Sequence, residues 1–223
     1  MSEQKKYEFV PGDEIVIAPG RALKRIRALI AITAISVVPG DLGGYVENEA
    51  NLDASGNAWV SGNARVYGNA QVSGNALVYG NARVYGDAQV SGDAWVSGNA
   101  RVYGDAQVSG DARVSGNARV YGDAQVSGNA WVYGNAWVYG DAQIKSHTDW
   151  LLLGPAKSSG RFTTAYLDSK IGVRVSCGCF SGGVQDFSFR IEETHAGNLP
   201  HLQQYRLFCQ LIAFNFGAEP ACT

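Results

Sequence analysis

The sequence predicts a mainly β protein in which a parallel β-solenoid of five coils lies between an N-terminal β cap and a small α+β module. Three observations predict it. The unit [Asn/Asp]-Ala-x-[Val/Ile]-x-Gly runs from Asn57 to Ser146 in one phase, fifteen times, without a proline or an insertion. Its outward positions recur every 18 residues, so three units make a coil. The flanking residues lack the unit, and a repeat array needs different chemistry at its ends. The chain therefore divides into 1–56, 57–146 and 147–223.

In the first segment Tyr7 to Ile17 and Leu23 to Val38 read as strands around the turn at Pro19-Gly20. Gly40-Asp41-Leu42-Gly43-Gly44-Tyr45 leads toward the repeats, and Asn51 to Ala54 sit out of phase with them. A cap here keeps the first strand edges from recruiting another chain.

Within each repeat, Ala and Val are two apart and share one side of an extended chain, while the x positions share the other. Gly and the following Asn or Asp supply the corner, since both tolerate turn dihedrals. Pairing is then with the strand one coil away. One face carries Arg65, Arg83, Arg101 and Arg119, with Trp137 ending the row, beside Tyr67, Tyr85, Tyr103, Tyr121 and Tyr139. A second carries Gln71, Gln89, Gln107, Gln125 and Gln143 beside mostly serine, and reads as solvated. The third carries Trp59, Leu77, Trp95, Arg113 and Trp131.

After the solenoid, Trp150 to Leu153, Phe162 to Leu167 and Ile171 to Ser176 read as strands, and Val184 to His195 reads as a helix. Asn198-Leu199-Pro200 is a break, and Leu202, Tyr205, Cys209, Ile212 and Phe216 mark one apolar helical stripe.

Composition excludes several classes. The 18 Lys and Arg against 20 Asp and Glu give no global field toward nucleic acid or an anionic membrane, so a charged partner has to meet a local patch. The longest apolar stretch, Ala28 to Val38, falls short of the roughly 20 residues of a membrane helix and reads as core. Cys177, Cys179, Cys209 and Cys222 are too few and too clustered for a secreted disulfide framework and read as reduced. With no apolar segment behind the first residues, a cytoplasmic location is expected.

The hexapeptide run resembles the left-handed parallel β-helix proteins, and the resemblance implies the handedness. Leu23-x-Arg25-Ile26-x-Ala28-Leu29, Val38-x-Gly40-Asp41-Leu42-Gly43-Gly44-Tyr45-Val46-Glu47, Leu153-Gly154-Pro155, Cys177-Gly178-Cys179-Phe180-x-Gly182 and Glu193-Thr194-His195 extend it. Together they resemble uncharacterised hexapeptide-repeat proteins of bacteriophages and prophages. That resemblance implies a protein working in the cytoplasm of a bacterial host, with no established activity.

Many hexapeptide-repeat proteins resemble acyltransferases, which use a histidine base and a loop breaking out of a coil. Here no histidine lies between Asn57 and Ser146, and His147 is the one candidate near the solenoid. Cys177, Cys179, Cys209, His195 and His201 offer zinc-type ligands, but Cys-x-Cys lacks the usual gap, and Cys209 sits in an apolar stripe. No catalytic residue, metal or cofactor is assigned. The Arg65, Arg83, Arg101, Arg119 column with Tyr67, Tyr85, Tyr103, Tyr121 and Tyr139 is the candidate binding face, with Arg taking phosphate and Tyr stacking bases. The competing reading is a ladder that only stabilises itself, its charge offset by Asp87, Asp105, Asp123 and Asp141 on the adjoining corner. Trp59, Leu77, Trp95 and Trp131 read as an exposed interface row suited to a homo-oligomer. The expected function is non-catalytic recognition of a host macromolecule, such as a host protein, or of a nucleotide-type ligand; a target in host antiviral defence is what the resemblance to phage proteins implies, and no residue points to it. No sequence-specific duplex DNA binding or membrane insertion is expected. A structural virion or assembly spacer and an acyltransferase are the alternatives.

Overall fold

The computed structural model describes residues 5–157 and 159–218, so Cys222 lies outside the described residues. β1 (Tyr7–Ala18) and β2 (Arg21–Ala28) form an antiparallel hairpin. β2 stops at Ala28 and does not continue to Val38. Its last residue closes a loop through Gly40 N to Ala28 O at 2.8 Å and Ala28 N to Asp41 O at 2.9 Å. The intervening apolar run folds back on the solenoid, turning through a 3-10 helix at Thr33–Ile35. Ile32 is buried, and Ile35 and Val37 pack on the same core. The run is therefore not core throughout, although its apolar composition suggests it: Ala28 and Ile32 are its buried residues, Leu29 and Val38 are 40% and 55% exposed, and the segment forms a flap because its ends are tied together at Ala28, Gly40 and Asp41.

β3 (Leu42–Val46) leads into fifteen two-residue strands, one per repeat, from β4 (Trp59–Val60) to β18 (Gln143–Ile144). It pairs antiparallel with β2 and, on its other edge, parallel with β5 (Arg65–Val66). The cap hairpin thereby extends one solenoid sheet, which continues through β8 (Arg83–Val84), β11 (Arg101–Val102), β14 (Arg119–Val120) and β17 (Trp137–Val138). Two further sheets of five parallel strands complete the triangle. Every repeat Ala and Val from Ala58 to Val138, with Ala142 and Ile144, is fully buried in one continuous core. Tyr45 lies opposite Arg65 and Leu52 opposite Val72, each pair 20 residues apart where the repeats are 18. Residues 45–52 are thus two sides of an incomplete leading coil. Its extra two residues fall between Leu52 and Val60, which accounts for the phase break seen in the sequence.

The stack has a direction. Around the strands each coil donates N–H groups to carbonyls of the next, as in Arg83 N to Ala100 O, Tyr85 N to Val102 O and Asp87 N to Gly104 O at 2.9, 3.0 and 2.9 Å. The first end is therefore rich in orphan carbonyls and the last in orphan N–H groups, and buried backbone groups need partners. Donors close the first end. Lys6 Nζ reaches Ala58 O at 2.9 Å and Ser55 O at 3.2 Å, and Asn51 Nδ2 reaches Gly68 O and Ala70 O at 2.9 and 2.8 Å. Acceptors close the other. Trp137 N donates to Thr164 Oγ1 at 3.1 Å, Tyr139 N to Tyr166 Oη at 3.2 Å, and Lys145 N and Ser146 N to Asp149 Oδ2 at 2.7 and 2.9 Å.

The C-terminal module is an antiparallel sheet of β19 (Trp150–Leu153), β20 (Thr163–Asp168), β21 (Gly172–Cys177) and β22 (Phe180–Gly182), covered by α1 (Val184–His195) and α2 (Leu199–Phe216). β22 has no hydrophobic alternation to announce it. It follows the two-residue turn Gly178-Cys179, in which Gly178 has φ +60°. Asn198 caps α2 by accepting from His201 N, Pro200 sits in the first turn, and Gly217 at φ +63° ends it. No helix among the described residues is long and apolar enough to cross a membrane.

Candidate functional site

Sheet register places Arg65, Arg83, Arg101 and Arg119 directly beside one another on successive coils, half-buried, with Trp137 next in the row. The row continues into the cap. Tyr45 stands opposite Arg65, and Arg25 opposite Tyr45, its guanidinium 4.9 Å from the Tyr45 ring. Asp13 lies 3.9 Å from Arg25 and accepts from Tyr45 Oη at 3.0 Å. The four guanidinium groups are thus bracketed by aromatic residues. At the far end Arg119 lies over Trp137 at 4.7 Å.

No carboxylate among the described residues forms an ion pair with Arg65, Arg83, Arg101 or Arg119. Asp141 pairs with Lys170 at 2.9 Å, and Asp87 accepts from Asn69 at 2.9 Å. The corner aspartates therefore do not neutralise the column by contact. At a strand spacing of about 4.8 Å and an effective dielectric near 20, neighbouring cations repel by about 3 kcal/mol, and by less where water screens them. A bound anion offsets that repulsion.

The tyrosine column differs from its expected role. Rings of Tyr67, Tyr85, Tyr103, Tyr121 and Tyr139 stack on one another at 5.0, 4.9, 4.8 and 4.8 Å, with interplanar angles of 2, 1, 3 and 15°. Coil spacing sets ring spacing, so the π faces are spent within the column and no base can slide between them. Ring edges and hydroxyls are what remain. Burial pushes the Tyr67 and Tyr103 hydroxyls up, and burial followed by neighbouring Tyr139 and Tyr103 pushes Tyr121 to about 12. At the foot of the column Glu47 pairs with Arg21 at 2.8 Å and accepts from Gly68 N at 2.8 Å. Arg21 first, then Gly68, holds the Glu47 carboxyl at about 2.

The tryptophan row is not a continuous exposed stripe. Trp59 is 3% exposed because the flap carrying Ile35 and Val37 packs beside it, and Leu77 is half-buried against the core. Trp95 and Trp131 are 37% and 49% exposed. Arg113 lies over the Trp95 ring at 4.6 Å, and Trp131 Nε1 donates to Ser115 Oγ at 3.0 Å. The flap, residues 29–40, reaches Trp59 only through the folded cap, so this cover cannot be read from local sequence.

The remaining candidates lie in the C-terminal module and its junction. His147 is exposed in the turn after the last coil. Cys177 is buried with Sγ 4.0 Å from Tyr205 Oη, His195 stacks on Tyr205 at 5.0 Å, and Cys209 is buried in α2. No group of three or more His, Cys, Asp or Glu among the described residues could hold a metal. A cavity of about 300 Å³ opens where β17 meets β20, walled by Asn135, Trp137, Arg161, Phe162, Thr164 and Ser176. The repeat register sets Trp137 at the end of the Arg row, but no sequence signal marks this cavity, which forms between segments that meet only on folding.

Eight stretches of the solenoid, residues 58–74, 70–86, 78–92, 88–104, 94–110, 106–122, 112–128 and 124–140, match the family model of the YdcK beta solenoid repeat. No curated protein matches the chain. The matched stretches span the coils that carry the Arg and Tyr columns, and the chain is a repeat β-solenoid protein.

Proposed function

We propose that this protein is a non-catalytic recognition protein that binds a phosphate-bearing ligand of a bacterial host along its Arg column. The observation that carries the reading is the run of four in-register guanidinium groups with no ion-pair partner among the described residues. Arg forks suit phosphate oxygens, and a linear column suits a ligand with more than one phosphate. The resemblance to phage and prophage proteins supports a setting in the host cytoplasm and a role in blunting antiviral defence. Trp95 and Trp131, with the exposed Leu207, Leu211 and Phe214 of α2, are the surfaces this reading gives to a homo-oligomer.

Binding of short single-stranded oligonucleotides, followed across a salt series, tests the proposal. If four phosphates are neutralised, log K falls against log salt with a slope of about −3. Changing Arg83 and Arg101 together to Glu is expected to abolish binding at moderate salt while the melting temperature holds or rises, because the new carboxylates stand beside Arg65 and Arg119 and relieve the repulsion within the column. Salt-independent binding, or binding indifferent to the double change, sinks it. The spacer reading is favoured by a different observation: the tyrosine faces and the corner Asn ladder, such as Asn81 to Asn99 at 3.3 Å, satisfy one another along the stack.

A further inference from the structure

The cavity at the head of the Arg column has the features of a site for a flat aromatic group joined to phosphate. Trp137 belongs both to the Arg row and to the cavity wall, and Arg119 covers one face of its indole. Phe162 adds a second aromatic wall. Asn135 accepts from Asn117 through Oδ1 at 3.1 Å, which leaves its amide N–H groups to donate elsewhere. Arg161 forms no ion pair among the described residues. Its guanidinium rests against Gly178, where an added Cβ would lie 2.9 Å from Nη1, so glycine there makes room for the cation. At about 300 Å³ the cavity is at the small end of ligand pockets.

We infer that this cavity is a nucleobase site, with Trp137 and Phe162 contacting the ring, Asn135 its polar edge, and Arg161 and Arg119 the attached phosphate. The inference rests on the proposed phosphate reading and adds what that reading lacks, a place for the base. It also follows from the closed tyrosine column, which offers no ring face between coils. A free nucleotide and the end of a single strand share this chemistry.

The test compares a short thymidylate oligomer with an abasic phosphodiester of the same length, using the full chain. Base stacking on an aromatic side chain contributes roughly 1–3 kcal/mol, so the base-bearing oligomer is expected to bind roughly 5- to 150-fold more tightly. Trp137→Ala is expected to erase that preference, and Trp137→Phe to retain most of it. Arg161→Gln, which leaves the stack untouched, is expected to weaken the base-bearing ligand more than the abasic one. Competition by thymidine triphosphate assigns the site to free nucleotides, and a base preference without such competition assigns it to strand ends. Equal, salt-dependent binding of both oligomers overturns the base site and leaves the Arg column standing. Absence of salt-dependent binding by either overturns the column reading and this inference with it.

Discussion

Lys6 shows how one side chain can close the end of a fold and set its response to pH. It is 1% exposed, and its ammonium supplies donors to the orphan carbonyls of Ala58 and Ser55. Burial lowers its pKa from 10.5 to about 8, with Asp53 opposing the shift. The folded-state value lies below the unfolded one, so between the two the unfolded chain binds more protons and stability rises with pH. The gain between pH 8 and 10 is expected to be about 2 kcal/mol, at 1.36 kcal/mol per unit. Urea unfolding of the wild type and Lys6→Met across this range checks it, because the methionine chain should lack the increment. A flat difference between the two would mean that Lys6 keeps its water. Above pH 10 the sign reverses. Tyr121, raised to about 12, favours the folded state while its hydroxyl is neutral, and that contribution is lost as pH climbs from 10 through 12.

The coil corner depends on glycine for two separable reasons, a positive φ and a close approach to the next coil. Gly104 has φ +69°, and a Cβ there would lie 3.0 Å from Gly122 N. Gly12, in β1, has φ +78° and nothing within 4 Å of a Cβ. Gly12→Ala is therefore expected to cost the dihedral alone, about 1–2 kcal/mol, and Gly104→Ala about 1 kcal/mol more from displaced backbone. Equal losses in urea unfolding would show that the coils yield freely to the extra carbon. The corner also explains what the sequence made legible. Gly-Asn or Gly-Asp every six residues, with Ala and Val two apart, fixes which atoms point inward, and the burial of Ala58 through Ile144 follows from that period. Trp59 was not legible because the flap over it comes from another segment. The apolar run Ala28 to Val38 fits a strand or a lid equally well by local pattern. The tyrosine columns were legible in register, but their closed faces depend on the side chains following the coil spacing. The cavity beside Trp137 depends on where β20 lands.

The two caps differ in kind, and the difference follows from the direction of the parallel stack. The first end is rich in carbonyls and is closed by the donors of Lys6 and Asn51, whereas the last is rich in N–H groups and is closed by the acceptors of Thr164, Tyr166 and Asp149. An uncovered last end meeting another last end sets most of its donors against donors, so it cannot continue the ladder. An uncovered last end meeting an uncovered first end continues it in register, and that contact is head-to-tail and does not close. A chain without either cap, residues 57–146, is therefore expected to form filaments with a strand repeat of about 4.8 Å along the axis. Chains lacking a single cap are expected to stay free of such filaments. Electron microscopy and fibre diffraction of the three chains decide it. Filaments from a chain that keeps either cap would show that the other end can pair with itself or displace its cap, and would overturn the donor-and-acceptor account of the ends.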